Sequence, residues 1–298
     1  MEVDTINNEY FTSYEDLDIH QLMLEDEPRN LSYKSAILNN KAYFKDKIVM
    51  DVGCGTGILS IFCAQAGAKK VYAVEASNLA NLAKEIVQEN GFEDIIEVIQ
   101  SKVEDLVLPE YIKVDAIVSE WMGFYLLHEG MLDSVLHARD KFLKEQGEMF
   151  PESATIYVAP CANKAGFYQG LCVWFECNFP DLSDGKEEKQ VILDTSPESP
   201  PTHWKQTVIV LPEEQEVEEE EPIAFQLDIN RDQINNRRYN LQMTMLDPET
   251  VEHPQPCNCH MTKCILIRTI MQQHDHGMES NGLMEESIDD EDDNDNEE

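Results

Sequence analysis

Two carboxylates, Glu120 and Glu129, lie in an otherwise largely apolar stretch, DAIVSEWMGFYLLHEGML, at residues 115–132. An ionised carboxylate in apolar surroundings is costly unless a cation pairs with it. The two acids therefore predict a cation site. The alternative is a structural ion pair with arginine residues of the chain itself.

A glycine-rich segment, DVGCGTG at residues 51–57, forms the second candidate site. It follows a short apolar strand and precedes an apolar helix, and Gly53, Gly55 and Gly57 have the spacing G-x-G-x-G. Glycines allow a tight turn and the close approach of a ligand, because no Cβ stands in the way. A tight turn that binds nothing is the alternative.

Acidic residues near the ends of the strands indicate which ligand this loop would bind. Glu75 ends the next strand, where a carboxylate can accept hydrogen bonds from ribose hydroxyls. Asp51 and Glu75 together favour S-adenosylmethionine over a nicotinamide cofactor. Glu104 follows the third strand, at the position expected for an adenine, with a solvated surface acid as the alternative.

Alternating strands and helices must position both sites. The pattern from residue 47 to residue 120 is typical of a parallel sheet with helices on both faces. We expect strands at 47–53, 70–77, 96–102 and 114–120, and helices at 58–68, 78–91 and 131–144. Two short helices are expected before residue 44, with Pro28 interrupting the helical pattern between them.

The sequence pattern changes after Pro151, where short runs rich in β-branched and aromatic residues predict an antiparallel barrel or sandwich. The expected strands are 154–159, 171–179, 190–195, 205–211, 223–229, 237–246 and 264–270. The predicted domains are N-terminal helices covering a cofactor (1–46), a Rossmann-like α/β domain (47–150), a β-barrel-like domain (151–271) and a disordered acidic tail (272–298).

The formal net charge of −37, with acidic runs at 213–221 and 285–298, disfavours phosphate-mediated nucleic-acid binding and favours a basic protein partner. The first twenty residues are polar and acidic, so no signal peptide is expected, and no apolar run is long enough to predict a membrane span. The eight cysteines are interpreted as reduced thiols of a cytoplasmic or nuclear protein.

Five motifs, in order, resemble those of the protein arginine methyltransferases. They are YFTSY at 10–14, DVGCGTG at 51–57, KVEDL at 102–106, IVSEWMGFYLLHEGML at 117–132 and THW at 202–204. The resemblance covers about residues 10–159 and 173–270. It implies transfer of a methyl group from S-adenosylmethionine to guanidino nitrogens of arginine in proteins, such as histones or Arg/Gly-rich proteins.

The resemblance implies that Glu120 and Glu129 clamp the substrate guanidinium. Guanidinium is planar, permanently charged and donates hydrogen bonds in a fork that two carboxylates can accept. Held in this way, its positive charge is drawn toward the nitrogens that face the acids. The remaining terminal nitrogen can then attack a methyl group.

Further roles are implied residue by residue. On the cofactor side, Arg29 would pair with the carboxylate of the cofactor, and His20 and Met23 would line it. Tyr10 and Tyr14 would close over cofactor and substrate. His203 with its partner Asp26 would accept a proton, and Met131 and Trp204 would contact the substrate. Met23 and Met131 beside the acceptor nitrogen imply asymmetric dimethylarginine as the product. For Arg29 a surface position is the alternative, and for the two tyrosines it is core packing.

A third candidate site is CNCHMTKC at 257–264, in which Cys257, Cys259, His260 and Cys264 could bind zinc. The spacing differs from that of common zinc modules, so these residues are interpreted as reduced side chains in a loop and no metal is expected.

The chain departs from the family pattern after the strand at 154–159. Members of the family carry a helical dimerisation arm there, whereas only residues 161–171 separate Pro160 from the next matching strand. We therefore expect a truncated barrel, a mainly monomeric or weakly associating chain, and incomplete cover over Val173 and Phe175. A catalytically weak relative that binds basic proteins or a full-length paralogue is the alternative function, and a small-molecule methyltransferase is a third.

Overall fold

The computed structural model describes residues 10–109, 111–162, 166–182, 190–218, 221–253, 257 and 261–281. A helical turn at residues 10–13 is followed by α1 (Leu17–Glu25), α2 (Glu27–Asn39) and α3 (Lys41–Phe44). The two expected helices are present as α1 and α2, but the break between them lies at Asp26, and Pro28 belongs to the first turn of α2. Proline is tolerated there because the first-turn N–H groups have no intrahelical partner.

A five-stranded parallel sheet forms the next layer. Its elements are β1 (Ile48–Val52), α4 (Ile58–Gln65), β2 (Lys70–Glu75), α5 (Leu79–Glu89), β3 (Ile96–Gln100), β4 (Val114–Val118), α6 (Leu132–Phe142) and β5 (Leu143–Phe150). The strand order is β3-β2-β1-β4-β5. The predicted Rossmann-like α/β fold is confirmed.

The centre of this sheet is the core of the molecule. β1, β2 and β4 are buried over almost their full length, because helices cover both faces.

The sequence did not predict strand β5, and the helix expected to reach residue 144 ends at Phe142. β5 reads LKEQGEMF and is exposed or half-buried except at Phe150, so this edge strand gives no apolar run in the sequence.

The second half is antiparallel and barrel-like. β6 (Ser153–Cys161), β7 (Phe167–Asn178), β8 (Ile192–Asp194) and β9 (Thr207–Glu216) share one sheet, in which β7 pairs with the other three. β10 (Ala224–Arg231) and β11 (Tyr239–Leu246) form a separate hairpin, and α7 (Thr262–Asn281) follows. Part of the first acidic run therefore lies in a strand, since β9 extends to Glu216.

Two expectations for the C-terminal part are wrong. The segment 264–270 is part of α7 and is not a strand. A short apolar run is ambiguous between strand and helix, and only contacts with the rest of the chain decide between them. The expected disordered tail from 272 is also wrong at its start, because α7 continues to Asn281; residues 282–298 lie outside the described ranges.

Val173 and Phe175 are fully buried, at 0% and 1% exposure, so the expectation that they lack cover is wrong. Val173 pairs with Val158 on one side and Thr207 on the other, which leaves it no free edge. β6 and β7 pair directly, with residues 162–166 as their connection. Among the described residues, no helix has both the length and the apolar composition to cross a membrane.

Candidate active site

A cavity of about 510 Å³ lies where α1 and α2 meet the carboxyl ends of β1 and β2. Most of the predicted site residues line it: Tyr10, Tyr14, His20, Met23, Arg29, Gly53, Gly55, Glu75, Glu104, Glu120, Glu129, Met131, His203 and Trp204. Three further predicted site residues do not line the cavity: Asp26, Asp51 and Gly57. The sheet thus brings the glycine loop and the two glutamates to one cavity.

The glycine loop turns through left-handed backbone conformations, with φ of +72° at Gly53, +55° at Gly55 and +89° at Gly57. A Cβ at Gly53 would collide with the terminal methyl of Met131. The loop is tied to β2, because Gly53 N and Cys54 N both donate to the carbonyl of Val74, at 2.9 and 3.1 Å. Glycine is therefore required by backbone conformation at this wall of the cavity, whereas the flexible Met131 side chain could move away from an added Cβ.

Glu75 braces the loop from the end of β2. Its Oε2 accepts from Gly55 N at 3.0 Å, and its Oε1 accepts from Ser77 N at 2.9 Å and Ser77 Oγ at 2.8 Å. The side chain nevertheless lines the cavity. Glu104, on the loop after β3, accepts from Ser134 Oγ at 2.6 Å.

Asp51 supports the loop from the protein interior. It is fully buried, and its Oδ2 accepts from Ser60 Oγ of α4 at 2.7 Å. Its Oδ1 has no hydrogen-bond partner in the described part of the chain. Burial raises the pKa of Asp51 to about 7, with the hydrogen bonds of Ser60 opposing that shift.

Glu120 is paired with an arginine of the chain itself. Arg29 Nε donates to Glu120 Oε2 at 3.0 Å, and both side chains are buried. Arg29 Nη1 donates to Met23 O at 3.2 Å and to Asn30 Oδ1 at 2.7 Å. The structural ion pair considered as an alternative is therefore what the structure contains at Glu120.

Glu129 is held by two phenols. Tyr10 donates to Glu129 Oε2 at 3.1 Å, and Tyr14 donates to the same oxygen. Burial raises the pKa of Glu129, the bonds from the tyrosines oppose this shift, and the charge of Glu120 adds to it. Burial likewise raises the pKa values of Tyr10 and Tyr14, so both remain protonated donors.

Arg237 is a site residue that the sequence did not reveal. It lies in the turn between β10 and β11 and lines the cavity. Its guanidinium is 3.8 Å from the centroid of the Tyr10 ring, and its Nη1 donates to Glu129 O at 3.0 Å. Glu129 N in turn donates to Arg237 O at 2.7 Å. No motif surrounds Arg237, so only the packing of the hairpin against the loop identifies it.

His203 and Asp26 form a buried pair across 177 positions of the chain. Asp26 Oδ2 lies 2.6 Å from His203 Nδ1 and accepts from His203 N at 2.7 Å. Burial raises the pKa of Asp26, but the hydrogen bonds from His203 outweigh it and lower the pKa below its ordinary value. The neighbouring Trp204 donates from Nε1 to Met122 O at 2.7 Å.

The remaining predicted residues pack at the cofactor side of the cavity. His20 is buried, and its Nε2 lies 2.8 Å from Tyr14 O. Its ring also lies beside Gly55, where an added Cβ would come within 3.5 Å of it. Met23 contributes both a cavity-lining side chain and the carbonyl that Arg29 contacts. The N-terminal helices therefore close the cavity over the glycine loop.

The strand order, the glycine loop after β1 and the acid after β2 define a Rossmann-like methyltransferase. Two family models match adjoining parts of the chain: Ribosomal protein L11 methyltransferase (PrmA) at 36–138 and the Arginine methyltransferase oligomerization subdomain at 138–246. Protein arginine N-methyltransferase 1 of Saccharomyces cerevisiae is 35% identical over 306 aligned residues, which cover 79% of this chain and 87% of that protein. The chain therefore belongs to the protein arginine N-methyltransferase family.

Solved structures agree with this assignment. The Trypanosoma brucei PRMT1 enzyme–prozyme heterotetrameric complex with AdoHcy superposes with a TM-score of 0.72 at 32% identity, covering 81% of this chain and 98% of that one. Arabidopsis thaliana protein arginine methyltransferase 10, solved in an open conformation, gives a TM-score of 0.70 at 27% identity, covering 80% and 100%. The matched oligomerization subdomain and the heterotetrameric relative give no support to the expectation of a monomer.

Proposed function

We propose that this chain transfers methyl groups from S-adenosylmethionine to the guanidino nitrogens of arginine in basic proteins, giving mono- and asymmetric dimethylarginine. The observation that carries the proposal is the shared cavity, which joins the glycine loop and Glu75 to the Glu120–Glu129 pair. Neither half alone would require an arginine substrate. Together they place a cofactor loop beside two acids suited to a guanidinium.

The residues of the loop side fit the cofactor. Gly53 keeps the wall free of a Cβ, and Glu75 offers a carboxylate at the position expected for ribose hydroxyls. Arg29 Nη2 has no hydrogen-bond partner among the described residues, so it can bind the carboxylate of the methionine part. When bound, S-adenosylmethionine supplies the electrophilic methyl group. His20 and Met23 exclude water from this side.

The two glutamates would orient the substrate. In the described chain, Oε1 of Glu120 and Oε1 of Glu129 accept no hydrogen bond, while Oε2 of each is engaged. A guanidinium can therefore bind across the two Oε1 atoms without displacing Arg29. Tyr10 and Tyr14 hold the Glu129 carboxylate in place and lower the cost of its burial. The clamp fixes one face of the guanidinium and leaves a terminal nitrogen for attack.

His203 is the proposed proton acceptor. The short contact of its Nδ1 with Asp26 favours a proton on Nδ1, which leaves Nε2 as the basic nitrogen of the neutral ring. Nε2 makes no hydrogen bond with described residues, and His203 lines the cavity. Asp26, with its lowered pKa, remains ionised and stabilises the imidazolium that forms.

Met23 and Met131 support the choice of the asymmetric product, because both line the cavity beside the clamp. We further propose that the chain acts in the cytoplasm and nucleus on histones or Arg/Gly-rich proteins, in keeping with its net charge of −37. A mainly monomeric state is part of this proposal and rests on the short connection between β6 and β7.

One observation favours a second function. Both clamp carboxylates are already engaged by side chains of the chain itself, Arg29 at Glu120 and the two tyrosines at Glu129. This arrangement would suit a catalytically weak relative that binds basic proteins or a full-length paralogue, if the remaining Oε1 atoms do not suffice to orient a substrate guanidinium.

One experiment separates the two functions. The full chain is incubated with methyl-labelled cofactor and a panel of arginine-containing peptides, and the products are read by mass spectrometry. Asymmetric dimethylarginine supports the first proposal. Symmetric dimethylarginine alone contradicts the product assignment. Peptide and cofactor binding without transfer supports the weak relative.

A further inference from the structure

A second cluster of reactive side chains lies outside the catalytic cavity. His253 Nδ1 is 3.4 Å from Cys257 Sγ and 3.3 Å from Cys264 Sγ, and all three atoms lie within 4.8 Å of one another. His253 follows β11, Cys257 lies further along the same segment, and Cys264 is the third residue of α7. None of the three lines the catalytic cavity.

We propose that His253, Cys257 and Cys264 bind one Zn²⁺ ion. In tetrahedral zinc sites the Zn–S and Zn–N distances of about 2.3 and 2.0–2.1 Å give neighbouring N and S ligands a separation of roughly 3.5 Å. The observed separations of 3.3 and 3.4 Å lie close to that edge length. These three residues leave the fourth position to water or another side chain.

The histidine is oriented as a metal ligand should be. His253 Nε2 lies 2.9 Å from the carbonyl oxygen of Pro248. A carbonyl can only accept, so Nε2 carries the proton and Nδ1 of the neutral ring presents its lone pair to the two sulfurs. A backbone carbonyl on the outer nitrogen is the usual way in which proteins fix the tautomer of a ligating imidazole.

The choice of zinc follows from the donor set. Two thiolates and an imidazole suit Zn²⁺, whereas Mg²⁺ and Ca²⁺ take oxygen ligands. Cys257 and Cys264 are both reduced in the structure. Binding would release the two thiol protons to solvent and form two Zn–S bonds and one Zn–N bond, with no change of oxidation state.

The ion would fix the start of α7. The two segments already contact each other, because Lys263 Nζ donates to Val251 O at 3.1 Å and Arg268 Nη1 donates to Cys257 O at 3.2 Å. Cys264 is fully buried at this junction. The proposed ligand set adds His253, which stands outside the CNCHMTKC motif, to Cys257 and Cys264 of that motif; the other two predicted ligands, Cys259 and His260, lie outside the described residues.

The test uses the full, untagged chain, purified under reducing conditions and equilibrated with Zn²⁺. Elemental analysis after buffer exchange should give about one Zn²⁺ per chain, and Co²⁺ substitution should give the thiolate charge-transfer and tetrahedral d–d absorption bands. Competition with a chromophoric chelator should show binding at least about tenfold weaker in His253→Gln and Cys264→Ser. Cys172→Ser, which removes a half-buried free thiol of β7, should bind as the parent does.

A structural readout separates loss of binding from loss of fold. Because Cys264 is fully buried, its variant can unfold locally, whereas half-buried His253 offers the milder change. Removing Zn²⁺ from the parent should speed amide exchange across residues 262–281. Three results would overturn the proposal: less than about a tenth of an ion per chain, unchanged affinity in both ligand variants, or a Cys257–Cys264 disulfide as the stable form under reducing conditions.

Discussion

Replacing Glu129 by glutamine tests the proposed clamp most directly. Glutamine keeps the shape of the side chain, and its amide oxygen can still accept from Tyr10 and Tyr14, but it cannot carry the charge that pairs with guanidinium. Removing one partner from a buried, hydrogen-bonded charge pair costs about 2–5 kcal/mol. At about 1.4 kcal/mol for each factor of ten, kcat/KM should fall roughly 30- to 4,000-fold.

The same substitution should not destabilise the fold. Burial raises the pKa of Glu129 in the folded protein. The stability that its protonated carboxyl contributes is therefore fully present below the pKa that Glu129 has in the unfolded chain, and it is lost as pH rises through the pKa of the folded protein. At neutral pH the buried charge therefore opposes folding. Glu129→Gln should leave the free energy of unfolding unchanged or slightly higher, while transfer is lost.

The assay combines three measurements: initial rates of methyl transfer over a range of peptide concentrations, cofactor affinity by calorimetry, and urea unfolding at neutral pH. The matched control is Glu145→Gln, an exposed acid on β5 outside the cavity, which should change none of the three. Near-normal turnover in folded Glu129→Gln would refute the clamp. Lost cofactor affinity would refute the assignment of Glu129 to the substrate side.

Gly53→Val should block cofactor binding in calorimetry, because a branched side chain would stand on the cavity wall at a residue with positive φ; unchanged affinity in a folded variant would contradict this. Because the pKa of Asp51 is raised to about 7, the free energy of unfolding should fall as pH rises from about 4 to about 7. Measured between pH 5 and pH 8, this fall should be roughly 2–3 kcal/mol at most. Asp51→Asn should remove that part of the pH dependence in urea titrations, and an unaltered profile would disprove the cause. Light scattering at micromolar concentration should show mainly monomer, and a stable, active dimer would show that the short β6–β7 connection does not prevent dimerisation.

Gly91→Val provides the control for the glycine loop. Gly91 also has a positive φ, +74°, but nothing lies within 4 Å of a Cβ built on it, and it lies outside the cavity. This variant carries a similar backbone strain without filling the site. If both valine variants weaken cofactor binding equally, the effect at Gly53 is strain and not obstruction of the cavity.

The sequence by itself determined the features that depend on local order. Alternating strands and helices predicted the parallel sheet, and the spacing of Gly53, Gly55 and Gly57 predicted a turn that only glycine adopts readily. Glu120 and Glu129 could be singled out because charge in an apolar stretch requires a partner. Such signals are carried by neighbouring residues, so no knowledge of distant contacts is needed to read them.

The tertiary structure decided which partner each residue meets. Arg29 reaches Glu120 across 91 positions, and Asp26 reaches His203 across 177, through contacts that spacing in the sequence cannot reveal. The same holds for Arg237, which enters the site only because the β10–β11 hairpin packs against the loop of Glu129. The run at 264–270 lies in a helix although Ile265, Leu266 and Ile270 stay exposed, and the polar segment at 143–150 became an edge strand because β4 supplies its backbone partners.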